Sequence, residues 1–296
     1  MGVVCVGQSA FDITVPIQEP VIDNRKYRIH TELQCGGGPA FNASCLCALW
    51  GAPVQLVSRI GRDFYGVKLR EILKKYGVQI DCLIPDEGIR TPYSYIFVNK
   101  ENGNRTIFNR PADFSEISYS GDGLNPDVIL CDGHEEKISV DLIQKYPDAV
   151  SMIDAGTFRE TTMNVARYVD YLVCSEDFAR QYTGKNINLE DWESCKKIFC
   201  KIKEINHKTV VITLGEKGLL YEENKELKRL PAYSVKAVDT TGAGDIFHGA
   251  FAYGLYQKLS LLENLKQSSM AAAISVQTFG GQASIPKLET VRTELE

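Results

Sequence analysis

From residue 128 onward, short apolar runs alternate with longer amphipathic ones, and that alternation limits the fold more than any other feature of the chain. Val128-Ile129-Leu130-Cys131, Val150-Ser151-Met152-Ile153-Asp154, Tyr171-Leu172-Val173-Cys174 and Thr209-Val210-Val211-Ile212-Thr213 have the length and apolar continuity of strands buried on both faces. Residues 140–145, 161–169 and 192–205 between them read as helices. Strands separated by helices run parallel, with helices on both faces of the sheet, so the class is α/β. Val3 to Val6 is another such strand, and the turn that follows it, Gly7 to Asp12, stands where α/β proteins place ligand groups.

The first hundred residues add two kinds of element. Gly36-Gly37-Gly38-Pro39 breaks the chain before a helix, 40–50. A strand, Val54 to Ser58, then leads into an amphipathic helix, 63–76, with Phe64, Val67, Leu69, Ile72 and Leu73 inward and Gly77 as its cap. Residues 13–34 alternate weakly and read as an exposed hairpin or two edge strands. Residues 91–98 and 105–108 flank Asn102-Gly103, a strong hairpin signal. The segments 13–34 and 91–109 together predict a small sheet separate from the main layer. An Ala- and Ser-rich last helix, 264–278, closes the core.

The stretch richest in chemistry is Asp239-Thr240-Thr241-Gly242-Ala243-Gly244-Asp245. It lies between a strand-like run, 228–238, and an apolar helix, 246–259, so it reads as a strand-to-helix turn. Small residues there let a ligand approach the backbone, and the first N–H groups of a helix have no intrahelical partners. Such a turn binds anions, phosphate above all. Asp245 would then accept a proton from a hydroxyl beside the phosphate, or it only caps the helix. Neither a G-x-G-x-x-G fingerprint nor a P-loop occurs in the chain, which argues against a dinucleotide fold and a P-loop kinase.

Asp239 to Phe251 closely resembles the C-terminal signature of the ribokinase-like (PfkB) carbohydrate kinase family. Gly36-Gly37-Gly38-Pro39-Ala40-Phe41-Asn42-Ala43 through Gly51, with Ile60-Gly61-Arg62-Asp63 and Gly66, resembles its N-terminal signature. The resemblance implies a three-layer α/β/α ribokinase-like fold over 1–296, with a central, mostly parallel sheet and the small sheet as a lid. It implies an ATP- and Mg2+-dependent kinase acting on a primary alcohol of a fructose- or ribose-like monosaccharide. Asp245 would be the base, and Gly242, Ala243 and Gly244 the anion hole. Asp12, a plain turn former on composition alone, becomes the carboxylate that holds sugar hydroxyls. Gly37, Gly38, Asn42 and Ser94 join it, together with an acceptor-side group that is either Asp132 or His134.

For the nucleotide, Thr213-Leu214-Gly215-Glu216-Lys217-Gly218 resembles the family's T-x-G-x-x-G segment. Ser269, Ser175 and Arg159 complete that set; Arg159 is a phosphate clamp or simply a solvated arginine. Where the family carries N-x-x-E near the Mg-nucleotide, this chain has Ser175-Glu176-Asp177-Phe178, which shifts Glu176 or Asp177 into a magnesium relay. A potassium site is implied at Asp239, Thr241, Ser275, Thr278, Gly280 and Ser284. The two remaining readings are a nucleoside kinase of the same family and a catalytically silent sugar sensor on the same fold.

Composition narrows the partners. Net charge is −5 with no basic block, which argues against nucleic acid and membrane surfaces, and no apolar run reaches the ~18 residues of a membrane span. Nine cysteines lack C-x-x-C or Cys/His metal spacing and read as cytoplasmic thiols; the residues after Met1 resemble no signal peptide. His134 and His248 have no second ligand at metal spacing and read as hydrogen-bonded structural histidines. A small sheet with Tyr93, Tyr95, Phe97 and Phe108 cannot stand alone, so the expected lid also serves as a homodimer contact.

Overall fold

The computed structural model describes residues 2–100, 105–112 and 116–296. The predicted Asn102-Gly103 turn lies outside the described residues. The chain runs β1 (Val3–Val6), β2 (Ala10–Ile17), β3 (Leu33–Gly37), α1 (Pro39–Leu49), β4 (Val54–Gly61), α2 (Phe64–Tyr76), β5 (Leu83–Asp86), β6 (Tyr93–Asn99) and β7 (Arg105–Arg110). It continues through β8 (Val128–Cys131), α3 (Glu136–Lys145), β9 (Val150–Ala155), α4 (Glu160–Ala166), β10 (Tyr171–Ser175), α5 (Glu176–Thr183), α6 (Trp192–Lys203) and β11 (Thr209–Thr213). The remainder is β12 (Leu219–Glu223), β13 (Glu226–Leu230), α7 (Ala243–Tyr256), α8 (Leu261–Ser275) and α9 (Leu288–Leu295).

Nine strands form the main sheet in the order β13-β12-β11-β10-β9-β8-β1-β4-β5. All neighbours are parallel except the β11-β12-β13 edge. The strand order reverses between β1 and β8, and an open α/β sheet offers a crevice outside the carboxyl ends of its strands at such a point. One face of the sheet packs on α1, α7 and α8 and the other on α3 to α6, giving a separate apolar core on each side. The architecture is the expected three-layer α/β/α.

The small sheet has the order β3-β2-β6-β7. The ends of the segment 13–34 do pair antiparallel, as β2 and β3, but only β3 is an edge strand. β2 starts at Ala10 and is internal, paired to both β3 and β6, while Tyr27 to Thr31 lie outside any strand. Its Ile13 and Val15, with Ile96 and Val98 of β6, are buried, which gives that strand an apolar side to cover. Gly36 and Gly37 belong to β3 rather than to a loop. A ladder of rings ties the small sheet to the body: Phe11 stacks on Tyr65 of α2 at 4.9 Å, and Tyr65 meets Tyr93 at 5.0 Å.

Four further expectations need correction. The strand-like run 228–238 ends at Leu230, because Pro231 has no N–H to continue a ladder; Val238 and Asp239 instead donate to the Val276 carbonyl at the end of α8. Phe64 and Val67 lie on the outer side of α2, and only Leu69 and Leu73 are fully buried. Helix α7 begins at Ala243, not Ile246, so Gly244 and Asp245 are inside its first turn. The helix at 264–278 starts earlier, at Leu261, behind a capping box of Ser260 and Glu263, and α9 follows it.

Candidate active site

The turn before α7 is held from below by Asp239. One of its carboxylate oxygens accepts from the Thr241 N–H and the other from the Gly280 N–H, each at 2.9 Å, so the turn and the loop after α8 are clamped together. Gly242 takes φ +77, and a Cβ there would come within 2.9 Å of the Gly281 Cα, so glycine is required twice over. Gly244 has open space at its Cβ position and an exposed backbone. The backbone at Gly244 is therefore open to close approach, as an anion-binding turn requires, while the Ala243 N–H is turned onto the Thr240 carbonyl at 3.4 Å.

Helix α1 delivers Asn42 to the same place. Its Nδ2 donates to Oδ2 of Asp245 at 2.6 Å, although 203 residues separate the two. A carboxylate only accepts, which fixes the amide orientation and turns Asn42 Oδ1 away. That oxygen is buried and has no partner among the described residues. Burial and the nearby charge of Asp154 push the Asp245 carboxyl up to about 7, against the pull of Asn42 and His248; Asp12 pushes the same way.

Asp12 sits mid-strand in β2, directly opposite Ser94 of β6, and a Cβ on Gly37 would overlap its carboxylate at 2.1 Å. Burial raises its carboxyl to about 6, partly offset by the hydrogen bond from Ser94. Ser94 also receives Asn109 Nδ2 at 3.1 Å. Gly38 takes φ +97 with its Cβ position 2.4 Å from the Gln8 carbonyl. Gly37, Gly38, Asp12, Ser94, Asn42 and Asp245 therefore form one wall.

Asp132 is placed differently. Its carboxylate accepts from the backbone N–H groups of Gln8 (2.8 Å), Ala40 (3.2 Å) and His134 (2.9 Å), so it organises the glycine-led turn instead of presenting free oxygens to a substrate. Arg159 is not a solvated arginine. It donates to the Asp132 carbonyl at 3.1 Å and lies 2.9 Å from His134 Nε2. That nitrogen must be an acceptor, so His134 is neutral, in keeping with burial, which lowers its basicity most.

On the other side of the crevice, Gly215 and Gly218 both have left-handed φ, +59 and +93, in the loop joining β11 to β12. A Cβ on Gly218 would strike the Leu230 carbonyl at 2.1 Å. Thr213 Oγ1 donates to the Cys174 carbonyl at 3.3 Å, and Lys217 pairs with Glu176 at 3.0 Å. Ser175 is the N-cap of α5, accepting from Phe178 N–H and donating to the Gly156 carbonyl, so its one hydroxyl proton is committed. Glu176 can turn toward a metal only by leaving Lys217. Ser269 is half-buried on α8.

Of the implied cation ligands, the Ser275 and Ser284 hydroxyls are used internally, donating to the carbonyls of Ala272 and Gly281. The Thr278 N–H donates to the Ser275 carbonyl at 3.1 Å. Among the described residues no group of three or more His, Cys, Asp or Glu side chains is arranged to hold a metal.

Sequence comparison gives the family. The model of the pfkB family of carbohydrate kinases matches residues 2–288. The chain belongs to that family. Relatives include a ribokinase of Lactococcus lactis subsp. lactis, 28% identical over 88% of this chain and 85% of its own length. A mouse ribokinase is 30% identical over 84% of this chain and 81% of its own length. Among solved structures, Arabidopsis thaliana ribokinase complexed with ribose and ATP superposes with a TM-score of 0.86 at 24% identity, covering 100% of this chain and 98% of that one. The protein is thus an ATP-dependent carbohydrate kinase by family.

Two neighbours of this crevice, Arg105 and Gln282, were missed in the sequence, and a third, His248, was singled out there only as a hydrogen-bonded structural histidine. Arg105, at the start of β7, reaches across from the small sheet and donates to Thr241 Oγ1 at 3.1 Å. Gln282 donates its amide toward Cys45 and accepts from the Gly36 N–H at 3.1 Å, supporting the glycine strand from behind. His248 lies one helical turn beyond Asp245 and is paired with Asp154 at 3.0 Å. Only the last carried a signal, as a histidine within an apolar helix. Among the described residues no helix is long and apolar enough to cross a membrane, and all nine cysteines are free.

Proposed function

We propose that the protein transfers the γ-phosphoryl group of ATP to a primary hydroxyl of a ribose- or fructose-like monosaccharide. The observation that carries this is the Asn42–Asp245 contact at 2.6 Å, which brings the glycine-led substrate wall against the anion-binding turn. Asp12, Gly37, Gly38 and the unpartnered Oδ1 of Asn42 hold the sugar hydroxyls. Asp245 accepts the proton of the attacked hydroxyl, the freed oxygen bonds to the γ-phosphorus, and the bond to the β–γ bridging oxygen breaks to release ADP. The amides at the start of α7 face the charge that develops on the phosphoryl oxygens.

The backbone of Thr213 to Gly218 receives the nucleotide, with Arg159 and Lys217 as its cations. Glu176, released from Lys217, would be the protein's carboxylate toward a magnesium ion that would neutralise phosphate charge. The carbonyls around Thr241, Ser275 and Gly280 would hold a potassium ion beside the clamp that Asp239 makes. The small sheet closes over the sugar as a lid and excludes water from the phosphoryl group. Phe108, 54% exposed on the face it shares with Tyr95 and Phe97, forms a contact with the lid of a second subunit.

The test is turnover with Mg-ATP over a panel of pentoses, ketohexoses and nucleosides, with the phosphorylated position read by phosphorus NMR. A pentose or ketohexose phosphorylated on its primary alcohol is the expected product. A nucleoside 5′-phosphate would move the substrate to the other branch of the family. Tight sugar binding with no ADP release would make the protein a sensor.

A further inference from the structure

His248 and Asp154 are among the most buried ionisable side chains of the molecule, 3% and 5% exposed. The imidazole Nδ1 lies 2.7 Å from the Gly244 carbonyl and 3.0 Å from Oδ2 of Asp154, and its Nε2 lies 3.2 Å from the Val173 carbonyl. All three partners are acceptors. A neutral imidazole has one N–H and would turn a lone pair on a carbonyl oxygen; only the doubly protonated ring satisfies both ends. The register explains why these groups meet: Asp154 of β9 and Val173 of β10 are direct neighbours across parallel strands, below the first turn of α7.

We propose that His248 and Asp154 form a buried ion pair that positions the Gly244-Asp245 turn on the sheet and tunes the charge of the base. This rests on the kinase reading of Asp245. The pair is attached to the reaction by covalent neighbours: the ring holds the carbonyl of Gly244, whose peptide bond is shared with Asp245. A satisfied core histidine would need no charge. Here a cation, an anion and the reacting carboxylate share one poorly hydrated site, where the ionisation of each depends on the others.

The electrostatics agree with the geometry. Burial pulls the His248 imidazole toward the neutral form, but the charge and hydrogen bond of Asp154, with the carbonyls of Gly244 and Val173, outweigh it and raise its basicity. Around Asp245, Asp154 of β9 and Asp12 of β2 push the carboxyl up, and His248 and Asn42 pull it down. His134, in the loop after β8, also faces Asp154, with Arg159 beside it.

Imidazole nitrogen NMR of the wild-type protein reads the pair directly. His30 and His207 are exposed, so a His30→Gln, His207→Gln background leaves only His134 and His248. One ring doubly protonated at a pH where free imidazole is neutral is expected; two neutral rings overturn the proposal. This readout needs no substrate, so it stands or falls apart from the kinase assignment.

The second readout is the pH profile of kcat/KM. Removing the cation in His248→Asn should move the acid limb upward by roughly one pH unit, and adding Asp154→Asn should bring it back down. A limb that stays put while activity falls evenly at all pH values would mean a purely structural histidine and would overturn the tuning. His248→Gln carries the same expectation if the asparagine variant does not fold.

Discussion

At the residue scale, the base and the sugar-binding carboxylate should separate in pH and in kinetics. With the Asp245 carboxyl at about 7, its proposed role as base needs the deprotonated form, so kcat/KM should fall as pH drops below that value. Asp12→Ala removes a charged acceptor worth ~1.5–3 kcal/mol, so sugar affinity should fall by one to two orders of magnitude while kcat with saturating sugar changes less. An Asp12 variant with normal affinity would remove it from the substrate wall. The legibility of these residues was uneven. Asp245 was readable from its place after Gly242 and Gly244, whereas its contact with Asn42 depends on how α1 and α7 pack across the sheet. The choice between Asp132 and His134 on the acceptor side stayed open because a carboxylate after a strand looks the same whether it faces a substrate or three backbone amides.

At the element scale, the N-terminus of α7 makes two glycines do opposite things. Gly244→Ala places a methyl group in open space within a helix, so the protein should be as stable or more stable by ~0.5–1 kcal/mol, yet turnover should drop because the methyl occupies the anion's approach. Equal loss of stability and activity would contradict the assigned anion hole. Gly242→Ala should unfold the turn outright, since both φ and the 2.9 Å approach to Gly281 forbid a side chain. Potassium should raise the rate over sodium or a bulky organic cation at equal ionic strength, through the turn whose Thr241 and Gly280 amides Asp239 holds. Rates that agree in all three would rule the cation out. Elements of the parallel sheet were legible because buried strands are short continuous apolar runs; β11 starts and ends where its sequence does. The outer face of α2 was not, because Phe64 and Val67 are apolar but turn to the surface.

At the scale of the whole molecule, function is built at some cost to stability. Both Asp12 and Asp245 have raised pKa values, about 6 and about 7, so the folded state binds protons that the unfolded chain releases near 4. Their contribution to stability is fully present below that range and is lost as pH rises through 6 to 7. The melting temperature of the free enzyme should therefore gain from mild acidification, and Asp245→Asn should flatten part of that dependence; an unchanged slope would contradict the raised carboxyl. The lid dimer is a separate matter of mass action: light scattering at micromolar protein should show twice the chain mass, and a strict monomer with and without sugar and nucleotide would leave the lid without its partner. The measurement that bears most directly on the mechanism compares Asp245→Asn with the wild type in turnover and in sugar affinity. Turnover should fall by about a hundredfold or more while affinity stays within a few-fold; a loss of affinity equal to the loss of turnover would show that Asp245 holds the sugar and is not the base.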